Sequence, residues 1–215
     1  MQLRIFVLRL VACAAVLISG GHLCAAEPQD PGEVGLVNKV ENGAQVISVA
    51  GATTALIGTP VHMRDELRTG AGARLQVTFR DNTVLTLGEH ASVVVDRYVY
   101  EPERGAGETV LQATKGAFRF VTGKIKELKD KEIAVSTPVA DIGVRGTEFW
   151  GGPINAKYGV LLLEGEVVVS NQAGSVTLSR PGQGTDVPSP LDAPEAPSAW
   201  PAEKVARAVD SVALH

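Results

Sequence analysis

The stretch Arg74-Leu75-Gln76-Val77-Thr78-Phe79-Arg80 alternates polar and apolar residues without a break. A period of two fits an extended strand, because Leu75, Val77 and Phe79 then share one face and can be buried together. Asp81-Asn82 supplies turn chemistry and Thr83 to Leu87 resumes the extended pattern, which predicts a hairpin. Runs of the same kind follow at Ser92–Tyr100, Thr109–Ala113, Ala117–Thr122 and Ile133–Ser136, then at Thr147–Trp150, Gly159–Leu163, Glu166–Ser170 and Ser175–Leu178. They are short, rich in Val, Thr and Phe, and bounded by Gly, Pro or Asn, so the expected class is all-β from Val34 to about Val187. Phe79, Phe118, Phe120 and Phe149 are expected in its core.

The first 26 residues stand apart. Arg4 and Arg9 with no acid, an apolar run from Leu10 to Ile18, and the small residues before Glu27 are the three parts of a secretory signal peptide. The run is well short of the ~20 apolar residues needed to span a bilayer, so a retained anchor is the weaker reading and no stable membrane span is expected. A lipid-modified cysteine is disfavoured because Arg9 directly precedes Leu10-Val11-Ala12-Cys13. Cleavage after Ala26 would remove both cysteines, Cys13 and Cys24, and carry the formal charge from −4 to −6. The expected mature protein is a thiol-free, acidic, periplasmic chain whose stability comes from core packing. An acidic balance also excludes a broad nucleic-acid footprint.

Beyond the β region, residues 188–197 read as a Pro-rich, extended linker and 198–215 as a C-terminal amphipathic helix, with Val205, Val209 and Val212 on one face. So short a helix is marginal alone and is expected to dock, on its own domain or on a partner. The one dense charge run, Lys124 to Glu132, is expected as a solvated hairpin tip.

Reactive chemistry is sparse. His62, His90 and His215 have no metal-ligand spacing, and no cofactor or metal is expected. Glu89-His90 are neighbours whose side chains diverge. No nucleophile elbow, dinucleotide fingerprint or phosphate loop is present. Asp65, Glu66, Asp96, Glu101, Asp141 and Glu148 could in principle supply a carboxylate pair, but no spacing selects two of them. An enzyme is not expected.

The densest constellation is Ser136-Thr137-Pro138-Val139-Ala140-Asp141-Ile142-Gly143-Val144-Arg145-Gly146-Thr147-Glu148-Phe149. Pro138 belongs at an edge or turn. Gly143 and Gly146 bracket Arg145, which would emerge from a tight bend as a structural clasp on local carbonyls or as a ligand clamp. Here the chain resembles the FecR-domain family. Leu67-Arg68-Thr69-Gly70-Ala71, Phe79-Arg80-Asp81-Asn82-Thr83-Val84-Leu85, Lys115-Gly116-Ala117-Phe118-Arg119-Phe120, and Thr137-Pro138 through Arg145-Gly146-Thr147-Glu148-Phe149 match in order, across roughly Val34 to Gly184. Asn82 stands where the family has glycine, and Asn also tolerates left-handed geometry.

The resemblance implies a non-enzymatic, all-β periplasmic domain with short strands in a solenoid-like or sandwich arrangement. It gives Thr137, Pro138, Gly143, Arg145, Gly146, Thr147 and Phe149 structural roles. Well-known members hang this domain from a membrane helix below a sigma-factor-binding segment and receive a signal from an outer-membrane transducer. Neither part is expected here, so a direct anti-sigma role does not carry over.

Three functions follow as alternatives. The first is a protein-interaction or signal-relay module in the cell envelope, contacting an envelope protein such as a membrane sensor through Arg145, Trp200, Val205, Val209 and Val212. The second is a cell-wall or exopolysaccharide-binding module with a cleft lined by some of Tyr98, Tyr100, Trp150, Tyr158 and Trp200. The third is a hydrolase with two converging carboxylates.

Overall fold

The computed structural model describes residues 32–215. The leader expected over residues 1–26, with its cleavage point, lies outside them. In chain order the strands are Glu33–Glu41 (β1), Ala44–Ser48 (β2), Gly51–Thr54 (β3), Pro60–His62 (β4), Glu66–Thr69 (β5), Arg74–Phe79 (β6), Val84–Leu87 (β7) and Ser92–Glu101 (β8). Ala106–Lys115 (β9), Phe118–Val121 (β10), Asp130–Ser136 (β11), Asp141–Ile154 (β12), Lys157–Asn171 (β13), Gly174–Leu178 (β14), Gln183–Val187 (β15) and Ser198–Ala199 (β16) follow, before the α-helix Ala202–Asp210 (α1).

All the strands belong to one sheet, with the order β3-β2-β5-β8-β9-β11-β12-β10-β7-β6-β1-β4; β13 continues it from β12, carrying β14 and β15, and β16 pairs with β15. Every pairing is antiparallel except β9 with β11. The sheet curls into a half-barrel. Its path begins at β3 and ends at β4, and only Ala55 to Thr59 joins those two strands. The all-β class and the short C-terminal helix expected from the sequence are both present.

The alternation that predicted β6 is the reason the sheet curls around one core. Leu75, Val77 and Phe79 are at most 2% exposed, whereas Arg74, Gln76 and Thr78 are half-buried. Each such apolar side chain contributes roughly 1.5–3 kcal/mol on burial. Phe118 and Phe149 meet edge to face with centroids 5.6 Å apart, Phe120 lies 5.7 Å from Phe149, and Phe79 stacks on Tyr98 at 5.4 Å. All four phenylalanines expected in the core are there.

The turn after β6 carries a fully buried carboxylate. Asn82 takes φ 66°, and β6 and β7 pair as the expected hairpin. Asp81 is 0% exposed. Its Oδ1 accepts from the Thr83 N–H (3.2 Å) and the Tyr98 hydroxyl (3.0 Å), and its Oδ2 accepts from the Thr83 hydroxyl (2.6 Å) and the Ile125 N–H (3.2 Å). Its own N–H donates to Tyr98 Oη, and its carbonyl accepts from the Lys124 N–H. Burial, reinforced by the Asp81 charge, pushes the Tyr98 hydroxyl well above its ordinary pKa, so it remains a donor.

This clasp overturns the expectation of a hairpin tip at Lys124 to Glu132. β10 and β11 do not pair with each other. Both lie against β12, β10 beside Phe149 and its neighbours and β11 beside Ile142 and its neighbours. The connection is a turn of 3-10 helix, Lys124–Glu127, whose Ile125 is fully buried, with Leu128 close to it in exposure. The charges mark the outer face of a plug over the core.

The C-terminal segment docks on the outside of the sheet. Helix α1 covers residues 202–210, shorter than the expected 198–215, because Ser198–Ala199 pair with β15 as β16 and Pro201 stands at the helix entrance. Residues before it are tied to β15: Thr185 Oγ1 donates to the Glu195 carbonyl (2.6 Å) and the Glu195 N–H donates to the Asp186 carbonyl (2.9 Å). Trp200, Ala208 and Val212 form a second apolar cluster with Ala117, Trp150, Ile154 and Leu161.

Two glycines make room for Trp200. A Cβ at Gly184 would fall 2.3 Å from its ring, and one at Gly159 2.7 Å away. Lys204 closes the slot, with Nζ 3.7 Å from the ring centroid and 2.7 and 2.8 Å from the Asp186 carboxylate oxygens. Trp150 Nε1 donates to Ser211 Oγ at 3.0 Å.

Two stability measurements check this account. Asp81→Ala strands four donors at ~1–3 kcal/mol each, so urea unfolding should show a loss of at least about 4 kcal/mol, and Tyr98→Phe about 1–2 kcal/mol. A loss below about 1 kcal/mol for Asp81→Ala would contradict the clasp. Gly184→Val forces Trp200 out of its slot at a cost of ~1–3 kcal/mol. Because Trp150 and Trp200 are the chain's two tryptophans, the emission maximum should move to longer wavelength in that variant.

Candidate functional site

Strand β12 pairs with β13 from Asp141 to Arg145 and again from Glu148 to Ile154, with a bulge between. Gly146 has φ 60° and Gly165, facing it on β13, has φ 83°. A Cβ on Gly165 would stand 2.4 Å from the Gly146 carbonyl oxygen, so that position requires glycine, while at Gly146 it is the left-handed φ that favours glycine. Thr147 fills the interrupted ladder. Its hydroxyl donates to the Glu166 carbonyl at 2.7 Å, its N–H donates to Thr122 Oγ1 at 3.0 Å, and its carbonyl accepts the Thr122 hydroxyl at 2.8 Å. The Arg145–Gly146–Thr147 motif is thus a bulge within a long strand, where the sequence suggested a tight bend.

A bulge re-aims the side chain before it. Arg145 is one of the more exposed side chains of the sheet, and its Nη1 lies 3.2 Å from Glu166 Oε1, directly across β13. It holds no local carbonyl, so the clasp role expected for it falls to Thr147 and to Asp81. Thr137 and Pro138 lie in the turn between β11 and β12, where Thr137 Oγ1 donates to the Ala140 carbonyl at 2.7 Å. Phe149 is in the core.

Beside Arg145 a groove of about 880 Å³ opens, lined by Lys126, Lys129, Lys131 and Glu132, by Ile133, by Gly143 through Gly146, and by Val168. Its origin is topological. β11 pairs with β9 from Asp130 to Ser136 but with β12 only from Ala134 to Ser136. β10 joins β12 again only from Glu148. Among the described residues, Val144, Arg145 and Gly146 therefore have no strand beside them on that side. Four cations line the gap against one carboxylate, Glu132, in a chain that is acidic overall. Lys131 is anchored by a 2.8 Å bond from Nζ to the Leu128 carbonyl. Reading the sequence as a mixed-charge tip missed these lysines; their signal was the spacing of two, three and two along Lys124, Lys126, Lys129 and Lys131, with the buried Ile125 and Leu128 between them.

Other expected contacts are placed elsewhere. Trp200, Val205 and Val212 pack onto the protein's own sheet, while Val209 stays half-exposed. Of the aromatics a sugar cleft would use, Tyr98, Trp150 and Trp200 are buried, and Tyr158 hides its hydroxyl in the interior, where burial raises its pKa.

The carboxylates are engaged separately. Asp65 accepts the His62 N–H, Glu66 pairs with Arg68, Asp96 with Arg97, Glu101 with Arg104, and Glu148 with Arg119. The Ser92 hydroxyl, with Arg68 beside it, holds Glu66 below the usual carboxylate range despite its partial burial. Glu89 accepts the Gly72 N–H, and His90 is exposed. Among the described residues no group of three or more His, Cys, Asp or Glu converges as a metal site, and no helix is long and apolar enough to cross a membrane.

No curated protein matches the chain. Among solved structures, two crystal structures of a candidate anti-sigma factor from Parabacteroides distasonis ATCC 8503 are similar, at 23% and 22% identity, each with a TM-score of 0.50. The match covers 66% of this chain and 62% of that one, and it is a likeness of fold. The family model described as FecR protein matches residues 65–168, from β5 through most of β13, including both the Asp81 clasp and the Arg145 bulge. Those residues of this chain are a FecR domain.

Proposed function

We propose that this chain is an exported, non-enzymatic FecR-domain protein that works in the periplasm as a protein-interaction and signal-relay module. The observation that carries the reading is the FecR match itself, because the matched segment holds the bulge that turns Arg145 outward beside an open groove. A leader with the three parts of an export signal supports the compartment. The FecR domain and the anti-sigma-like fold neighbours support a regulatory role through protein contacts. The partner in this reading is an envelope protein such as a membrane sensor.

The contact face is the outer surface around Arg145, with Val209 of the docked tail as the remaining apolar contact. Arg145 contributes little to stability here, since an exposed ion pair is worth about 0–1 kcal/mol.

Two experiments test the proposal. A photo-crosslinking residue on the outer surface, in intact cells, should give a specific adduct with one envelope protein, and the adduct should weaken when residues 198–215 are deleted. Recovery of polysaccharide without a protein adduct would overturn it. Arg145→Ala should unfold within about 1 kcal/mol of the parent and lose the adduct; unfolding of that variant would return Arg145 to a structural role.

A further inference from the structure

We propose that the groove beside Arg145 receives an extended, acidic segment of the partner protein. This rests on the protein-contact reading above and names the chemistry of the contact.

Three features of the groove point to that occupant. The first is charge: Lys126, Lys129, Lys131 and Arg145 line it, with Glu132 as the one acid among the lining residues. Glu166 neutralises Arg145 only in part, because that pair is open to solvent. Among the described residues no ion pair engages Lys126 or Lys129, which leaves their charge free for an incoming anion.

The second is backbone. Val144 to Gly146 run without a neighbouring strand on the groove side, and β11 splays away from them. An extended chain entering the wedge would lie alongside a strand that has a free flank, the geometry of strand addition. Lys129 and Lys131 are two apart, so their spacing matches acids at alternate positions of such a segment, roughly 6.5–7 Å from one to the next.

The third is space. Gly143 lies on the groove side, and a Cβ there would meet nothing closer than the Val168 carbonyl at 3.9 Å. The absence of a side chain, together with Ile133, Val144 and Val168, leaves a shallow apolar floor under a cationic rim. A compact phosphate headgroup would use the cations alone, whereas an extended acidic peptide uses the floor and the open strand flank as well.

The test is fluorescence anisotropy of the full chain with a short fluorescein-labelled peptide alternating Glu and Val. Binding is expected, is expected to weaken as salt rises, and should be absent for the counterpart alternating Lys and Val. Lys126→Glu with Lys129→Glu should weaken it by at least about tenfold, and so should Gly143→Leu, which fills the floor without changing charge. Gly143→Leu should retain the parent circular dichroism and melting transition, since its Cβ is accommodated.

Unchanged affinity in Gly143→Leu would show diffuse attraction and overturn the groove assignment. Binding of phosphatidylglycerol vesicles in place of the peptide would overturn it in favour of a lipid surface, and no binding to either would also overturn it. If Gly143→Leu keeps the cellular crosslink described above, the groove fails while the protein-contact reading stands. If the parent protein itself gives no crosslink, that reading fails with it.

Discussion

A carboxylate with no access to water organises this fold. Asp81 sits at the end of β6, and its two oxygens gather donors from its own turn, from Tyr98 on β8 and from the 3-10 turn that follows β10. A charge in such surroundings is tolerable only when its lone pairs are occupied. Two of the four donors are Thr83's and close the turn itself, while the other two tie Tyr98 on β8 and the Ile125 plug to the hairpin. The groove depends on that plug. Lys126 packs over Gly146 because Ile125 beside it is pinned to Asp81 and buried.

Polar residues hold the interior of the site, and glycines set its limits. Thr147 and Thr122 replace ladder bonds lost at the bulge, which lets β12 change register without leaving buried amides unmet. Outside the sheet, the slot for Trp200 is defined by what Gly159 and Gly184 lack. The same residue type therefore permits a backbone bend at Gly146, gives a ring a seat at Gly184, and leaves an open floor at Gly143.

Much of the fold was legible because strands have a period of two. β6, β7, β8, β10 and β14 follow the runs read from the sequence, and the four core phenylalanines came from the same periodicity. Other runs were fused: Glu166–Ser170 and Gly159–Leu163 are one strand, β13, because Gly165 kinks the strand without ending it. Strands β1 to β5 carry weak alternation, and β3 is exposed throughout, so no face announced them individually.

The site was harder. Asp81 looks like any turn residue until its partners are known, since burial of a carboxylate leaves no trace in spacing. The Lys124 to Glu132 run was dominated by charge, which masked the i, i+3 pair Ile125 and Leu128. Arg145 was found by its glycine bracket, but its exposure and its groove arise from where β11 leaves β12, a property of pairing between distant segments.

The joining of the sheet's first and last strands by five residues, Ala55 to Thr59, has a dynamic consequence. Ordinarily the two margins of a sheet fray independently. In this molecule β3 and β4 are single-partner strands on one continuous stretch, Gly51 to His62. Detaching that stretch would strip both ends of this path in one event and expose β2 and β1 together, so the amides along those two borders are expected to exchange as one cooperative opening unit.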